Sequence, residues 1–337
     1  MTSRERVKRT LTFNYPDRPP RDLWILPIAL KKYKSQVDAI LEKFPLDIEF
    51  AKGLATAGDP TQEERWKVGS FTDEWGCVFK NVQEGIVGQV KDPIIKKLSD
   101  VKKVRPPYHK LKEKVNIDKI NKLCEETDKF VLGGDFFIDP FERMQFLRGT
   151  SQLYMDIVEQ PPGFFKLMDI VHEYNLTEIE LWTKTKVDGI LFADDWGSQK
   201  SLLINPKLWR KLFKPLYKEY CERIHSSGKF VFMHSDGYIF DIYEDLIEIG
   251  VDALNSQLFC MDIEQIGKKF KGKITFWGEI DRQHILPSPN IEDVKKAVEE
   301  IKKFLYDRSG GIIVQCEFGA GARPENVEAI FKEWEKV

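Results

Sequence analysis

Cysteine is thin in this chain of 337 residues: Cys77, Cys124, Cys221, Cys260 and Cys316 are odd in number and scattered. They make no disulfide framework, and a reducing cytoplasm is the compartment expected for such usage. Long hydrophobic runs are missing too, since no uninterrupted apolar stretch approaches the roughly 20 residues of a membrane span. The N-terminus, from Met1 to Arg9, is basic but leads into no apolar segment, so no signal peptide is apparent. Neither sign of charge predominates. The formal net charge is −2 with a pI near 6.3, which leaves no electrostatic footprint for nucleic acid. No G-x-G-x-x-G follows an early strand, which weakens a dinucleotide-binding reading. Internal repeats and low-complexity tracts are absent as well.

What is there is an alternation. A hydrophobic fraction of 42% supplies a substantial core, while 31% charged residues and a mean hydropathy of −0.39 indicate a soluble protein. Short apolar strands are expected near residues 23, 46, 130, 188, 230, 251, 274 and 312, each followed by helical material. Helices are expected over roughly 30–43, 139–157, 161–186, 205–227 and 291–306, with a last one opened by Pro324. Asn205-Pro206 supplies an N-cap with proline at the first helical position. Eight βα units favour an α/β fold of the closed (β/α)8 TIM-barrel type over an open doubly wound sheet. Between about 55 and 125 the pattern breaks. Glycine-bounded stretches at 69–79 and 85–90 read as strands of a β-hairpin-containing insertion after the second strand, within a single domain spanning 1–337.

In such a barrel the chemistry hangs from the C-terminal strand ends. Those ends read Trp24, Glu49, Asp135, Asp194 with Asp195, His234 with Asp236, Asn255, Glu279 with Asp281, and Cys316 with Glu317. The stretch Lys229-Phe-Val-Phe-Met-His234-Ser-Asp236-Gly237 is the sharpest, a buried parallel strand ending in an imidazole and a carboxylate. His234, Asp236 and Cys316 are competent zinc ligands, and three protein ligands with one open position is the catalytic zinc pattern. The same residues also read as a capped core histidine and a small buried thiol, and spacing alone leans to that plainer reading. Asp194 is a candidate for orienting a substrate hydroxyl or for acid–base work, or else for capping the following turn. Glu279 carries the same ambiguity. Asp135 follows Gly133-Gly134, where glycines let a ligand approach the backbone. Trp24, Phe136, Trp196 and Asn255 are candidates for the substrate pocket, although aromatic residues are more often core. Cys260 is held as a reserve ligand.

Several of these stretches together resemble the uroporphyrinogen decarboxylase superfamily. They are Asp194-Asp-Trp-Gly-Ser-Gln, Asn205-Pro with the helix to His225-Ser-Ser-Gly-Lys, Phe232-Met-His-Ser-Asp-Gly, the run Asp245 to Asn255, Phe276-Trp-Gly-Glu-Ile-Asp281 and Pro324-Glu-Asn. The match covers most of 130–335 in order and is looser before 125. The resemblance implies a (β/α)8 barrel and one of two activities. One is cofactor-free decarboxylation of uroporphyrinogen acetates. The other is zinc-dependent methyl transfer to or from a corrinoid protein. The decarboxylases carry an N-terminal Arg-Gln-Ala-Gly-Arg motif that grips propionates, whereas the place after Trp24 here reads Ile-Leu-Pro-Ile-Ala-Leu-Lys-Lys, with no arginine.

The methyltransferases bind zinc through His-x-Cys and a distant cysteine. His234 matches the first of these and Cys316 the last, while Asp236 stands in place of the middle cysteine. That exchange of sulfur for oxygen would make zinc a harder Lewis acid, suited to polarising a methoxyl or alkoxyl oxygen. The expectation is therefore methyl transfer between a small, O-methylated substrate and a corrinoid on a partner protein. Zinc would sit on His234, Asp236 and Cys316, with Asp135, Asp194 and Glu279 shaping the pocket. Tetrapyrrole decarboxylation is the alternative, and a degenerate ligand-binding barrel a third. No nucleic-acid or membrane partner is expected, and a homodimer is compatible with the sequence.

Overall fold

The computed structural model describes residues 1–51, 64–85, 87–134 and 138–337. Seven parallel strands form one curled sheet in the order β11-β10-β9-β8-β7-β6-β2. They are β2 (Ile48–Phe50), β6 (Phe130–Gly134), β7 (Gly189–Ala193), β8 (Phe230–Ser235), β9 (Ala253–Ser256), β10 (Thr275–Trp277) and β11 (Ile312–Ile313). The first strand, β1 (Trp24–Ile25), stands outside that sheet and pairs in parallel with β12 (Glu317–Phe318), the continuation of the last strand. Between β1 and β2 a single backbone hydrogen bond, Asp47 N–H to Arg21 C=O at 2.9 Å, bridges the seam. The fold is thus barrel-like rather than the evenly closed eight-stranded ladder expected. The two-residue β1 is too short to build a second ladder on its other edge.

The insertion after β2 holds a three-stranded antiparallel sheet: β3 (Gly69–Thr72), β4 (Val78–Asn81) and β5 (Gln89–Val90). Two of the expected helices are each broken in two. The stretch expected over 139–157 is Pro140–Arg148 followed by Thr150–Glu159, because Gly149 takes φ +87°. The stretch over 205–227 is Pro206–Leu212 followed by Lys214–Ser226, interrupted at Phe213. Asn205 caps the first of these as its sequence predicts, its side chain accepting from Lys207 N–H at 2.8 Å.

Both faces of the sheet are buried, as a barrel requires. Phe130, Leu132, Leu191, Phe232, Trp277 and Ile313 fill the inside, while their odd-even neighbours Val131, Ile190, Phe192, Val231, Phe276 and Val314 pack outward under the helices. The N-terminal helix, Ser3–Leu11, is more than the polar segment its composition suggests. Val7 and Leu11 join the inner cluster, so this helix plugs the end of the barrel where the strands begin. It is held there by buried Asp47, which accepts from Ser3 Oγ, Arg6 Nη1, Arg18 Nη1 and the Arg21 backbone at 2.6–2.7 Å. Chemistry is left to the other end.

Candidate functional site

Strand parity decides which side chains reach that open end. Successive residues of a strand point to opposite faces, so Leu191 inside puts Asp195 inside and turns Asp194 outward. Phe232 inside likewise directs His234 and Asp236 to the mouth, Ala253 directs Asn255, and Ile313 directs Gln315 and Glu317. The pairing registers His234↔Asn255 and Ala193↔His234 set these groups side by side.

Asn255, fully buried, fixes the imidazole. Its Nδ2 donates to Trp277 C=O at 2.5 Å and to Gln315 Oε1 at 3.1 Å. Its Oδ1 is therefore the acceptor that meets His234 Nδ1 at 2.6 Å. That assignment puts a proton on Nδ1 and, in the neutral ring, a lone pair on Nε2. Nε2 faces Oδ1 of Asp195 and Oδ1 of Asp236, each at 3.5 Å. A lone pair aimed at two carboxylate oxygens is electrostatically stable only with a cation or a proton among them.

Asp195, His234 and Asp236 offer ligand atoms all within 4.8 Å of one another. Zinc held at about 2.1 Å from each donor in tetrahedral geometry separates its ligands by about 3.4 Å, so the observed spacing fits an ion. The donor set also fits, one imidazole and two hard oxygens serving zinc or another oxygen-tolerant divalent metal. The carboxylates are oriented by partners of their own. Asp195 Oδ1 accepts from Asp236 N–H at 2.8 Å. Asp236 Oδ1 accepts from Gln257 Nε2 at 2.9 Å, and Gln257 Oε1 is in turn held by Gly237 N–H at 3.0 Å. Arg282 Nη2 donates to Asp236 Oδ2.

Cys316 does not join this group. Lying one residue past Gln315, it points outward and packs fully buried in the layer between strands and helices. Burial pushes its thiol well above the usual range. The carboxylate that stands beside His234 and Asp236, where Cys316 was expected, is that of Asp195.

Asp194 is likewise placed on the outer side. Its oxygens accept from Phe141 N–H at 2.7 Å, Glu142 N–H at 2.9 Å and Tyr217 Oη at 2.6 Å. The first two donors are at the N-terminus of the helix Pro140–Arg148, so this carboxylate acts as a remote cap. Burial pushes its pKa up, to about 7, against those three donated bonds. Trp196 is also core: it is fully buried, stacks on Phe141 at 4.1 Å and donates to Tyr217 Oη at 2.8 Å.

Trp24 is half-buried at the mouth, its ring edge-on to His234 at 5.2 Å. Glu279 is 2% exposed, and its Oε1 has no hydrogen-bond partner. Burial pushes its carboxyl up, to about 8. Arg282 Nη1 is 3.6 Å from that oxygen and 3.2 Å from Glu317 Oε2. Asp135 and Phe136 lie outside the described residues. Gly133 and Gly134 are glycine for a packing reason: a Cβ would meet Trp182 at 2.6 Å in the first case and Leu191 C=O at 2.1 Å in the second.

Sequence reasoning left out Arg282, Gln257 and Glu142 altogether, and set Asp195 and Glu317 behind their neighbours. Glu142 opens the helix capped by Asp194. Burial and then the charge of Asp195 hold its carboxyl well above the usual range. The available signal was the doublet Asp194-Asp195, which promised one group at the mouth without saying which.

A curled parallel barrel with a histidine set between two carboxylates at its open end is an α/β architecture of the TIM-barrel kind. The sequence profile described as uroporphyrinogen decarboxylase (URO-D) matches residues 72–337. The chain belongs to the uroporphyrinogen decarboxylase family. No curated protein matches it significantly. Among solved structures, a methyltransferase from Methanosarcina mazei is similar over 100% of this chain and 99% of its own, with a TM-score of 0.70 and 15% identity. A 3-keto-D-glucoside 4-epimerase from E. coli shares 14% identity over 66% of this chain and 86% of its own, with a TM-score of 0.39. A chitinase from Chromobacterium violaceum shares 9% identity over 94% and 99%, with a TM-score of 0.41.

Proposed function

We propose that this protein is a metal-dependent methyltransferase of its family, passing a methyl group between a small methylated compound and a corrinoid carried by a partner protein. The observation that carries the reading is His234 Nε2 set 3.5 Å from one oxygen of each of two carboxylates. Asp195, His234 and Asp236 would hold a divalent ion, with zinc the first candidate. Such an ion would supply Lewis acidity to the heteroatom that gives up or accepts the methyl group, an O-methyl oxygen being suited to a hard centre. Asn255 keeps Nε2 available by holding the proton on Nδ1. Gln257 and Arg282 fix Asp236, and Trp24 walls the imidazole on its open edge. The fold likeness to a methyltransferase over the full chain supports the same reading.

Tetrapyrrole decarboxylation, the activity in the family's name, is less well served. An octacarboxylate needs guanidinium groups to grip it, yet Arg282 is already engaged by Asp236, Glu279 and Glu317. Purified protein incubated with free cob(I)alamin and a panel of methoxy and N-methyl compounds should produce methylcobalamin in a metal-dependent manner. Decarboxylation of uroporphyrinogen by metal-free protein, with no methyl transfer, would overturn the reading.

A further inference from the structure

One carboxylate inside the barrel belongs to none of the groups described so far. Asp22 N–H donates to Val314 C=O at 2.8 Å and Trp24 N–H to Cys316 C=O at 3.1 Å. Both residues therefore run alongside the last strand, and their side chains share a face. Asp22 is 1% exposed, and among the described residues no cation pairs with it. A carboxylate so placed is costly to bury, and an apolar side chain of similar size would serve packing better. What Asp22 does have is two donors converging on one oxygen. Its Oδ2 accepts from Trp277 Nε1 at 2.9 Å and from Trp24 Nε1 at 3.1 Å.

Both indoles lead to His234, by separate routes. The Trp24 ring meets the imidazole edge-on at 5.2 Å and meets Trp277 edge-on at 5.3 Å. Trp277 is fully buried against Phe232 at 5.1 Å, and its C=O accepts from Asn255 Nδ2 at 2.5 Å. That bond and the one to Gln315 settle which end of the Asn255 amide faces His234 Nδ1. A shift of Trp277 thus reaches the imidazole through two hydrogen bonds, and a shift of Trp24 through one ring contact.

We infer that Asp22 is a positioning residue for His234: its Oδ2 holds the Trp24 and Trp277 indoles in the arrangement that keeps the proton on Nδ1 and leaves Nε2 open toward Asp195 and Asp236. Its purpose rests on the proposed metal site, whereas the imidazole reports it with or without an ion. The assignment accounts for a buried carboxylate, without a cation, that takes no part in the ligand group or in helix capping. It also gives both tryptophans a use for their N–H groups, which phenylalanine would not supply.

The test uses full-length purified protein and two substitutions at one position. Asp22→Asn keeps a carbonyl oxygen to accept from both indoles, while Asp22→Leu keeps the volume and removes the acceptor. Nitrogen-15 spectra of metal-free, histidine-labelled protein at mildly alkaline pH, where an imidazole is neutral, read the His234 tautomer. Wild type and Asp22→Asn should both show Nδ1–H, and Asp22→Leu a mixture of the two tautomers. Zinc affinity should fall about ten-fold in Asp22→Leu, the scale of lost support behind a metal ligand, and stay within about two-fold of wild type in Asp22→Asn. Should Asp22→Leu not fold, Trp277→Phe cuts the same link from the other side and should show the same mixture.

An Nε2–H tautomer in the wild type overturns the inference outright. So does a folded Asp22→Leu or Trp277→Phe protein whose tautomer matches the wild type, since Asp22 would then be packing alone. Equal disturbance in Asp22→Asn and Asp22→Leu overturns it as well. The two readings fail separately. A wild type that takes up no zinc while its tautomer responds to Asp22→Leu removes only the metal chemistry, whereas zinc bound equally by every variant with an unchanged tautomer removes only the role of Asp22.

Discussion

Asp194 and Asp195 are chemically the same and one peptide apart, yet they do different work. Truncating Asp194 would strand two helix N-terminal N–H groups and a buried tyrosine hydroxyl. Each such loss costs about 1–3 kcal/mol, so Asp194→Ala should destabilise the protein by roughly 3 kcal/mol or more in urea denaturation. A catalytic Asp194 would instead give full stability with lost turnover. Asp22 is a further buried carboxylate, accepting from Trp277 Nε1 at 2.9 Å and Trp24 Nε1 at 3.1 Å beneath the mouth. Burial raises it from 3.8 to about 6. Between those values the folded chain holds a proton that the unfolded chain has released, so its contribution to stability declines as pH rises from about 4 to about 6. Asp22→Asn should flatten that part of the thermal-stability profile, and an unchanged slope would count against the assignment.

The elements that carry Asp195, His234 and Asp236 are held together by two glycines. Gly237 adopts φ +78°, and its position would bring a Cβ to 2.2 Å from Gly197 C=O; a Cβ on Gly197 would sit 2.3 Å from Tyr238 N. This close approach, sealed by Gly197 N–H to Asp236 C=O at 3.0 Å, brings the loop after β7 against the loop after β8. Gly197→Ala leaves every ligand in the sequence but pushes the loops apart. Zinc affinity should fall roughly ten-fold or more, the scale expected when support behind metal ligands is lost. Wild-type affinity in a folded Gly197→Ala protein would show that the loop contact does not matter.

Strands such as Phe230–Ser235 and Gly189–Ala193 were legible as dense apolar runs ending in polar residues. Their inward face was not, because a barrel strand is apolar on both sides and alternation carries no signal. One missing bit of parity set Asp194 ahead of Asp195, the carboxylate that lies beside His234, and put at the mouth Cys316, which packs between strands and helices. Gly149, which splits one helix, was hidden inside an otherwise helical pattern, and Arg282 sits in a loop whose path no local pattern reveals.

Across the whole molecule the two ends of the barrel divide the labour. The helix Ser3–Leu11 and its Asp47 network seal one end. The other presents an imidazole, a ring of carboxylates and an aromatic wall. Among the described residues no helix is long and apolar enough to cross a membrane. Family membership and the barrel-like fold agree with that division, since chemistry in such barrels belongs at the strands' C-terminal ends.

The claim on which the functional account turns is that Asp195, His234 and Asp236, and not Cys316, bind a divalent ion. Competitive zinc titration against a chromophoric chelator tests it directly. Wild-type protein and Cys316→Ala should each take up one equivalent with closely similar affinity, while Asp195→Asn should weaken binding by at least about ten-fold. No stoichiometric uptake by the wild type, or a loss in Cys316→Ala with Asp195→Asn unaffected, would contradict it.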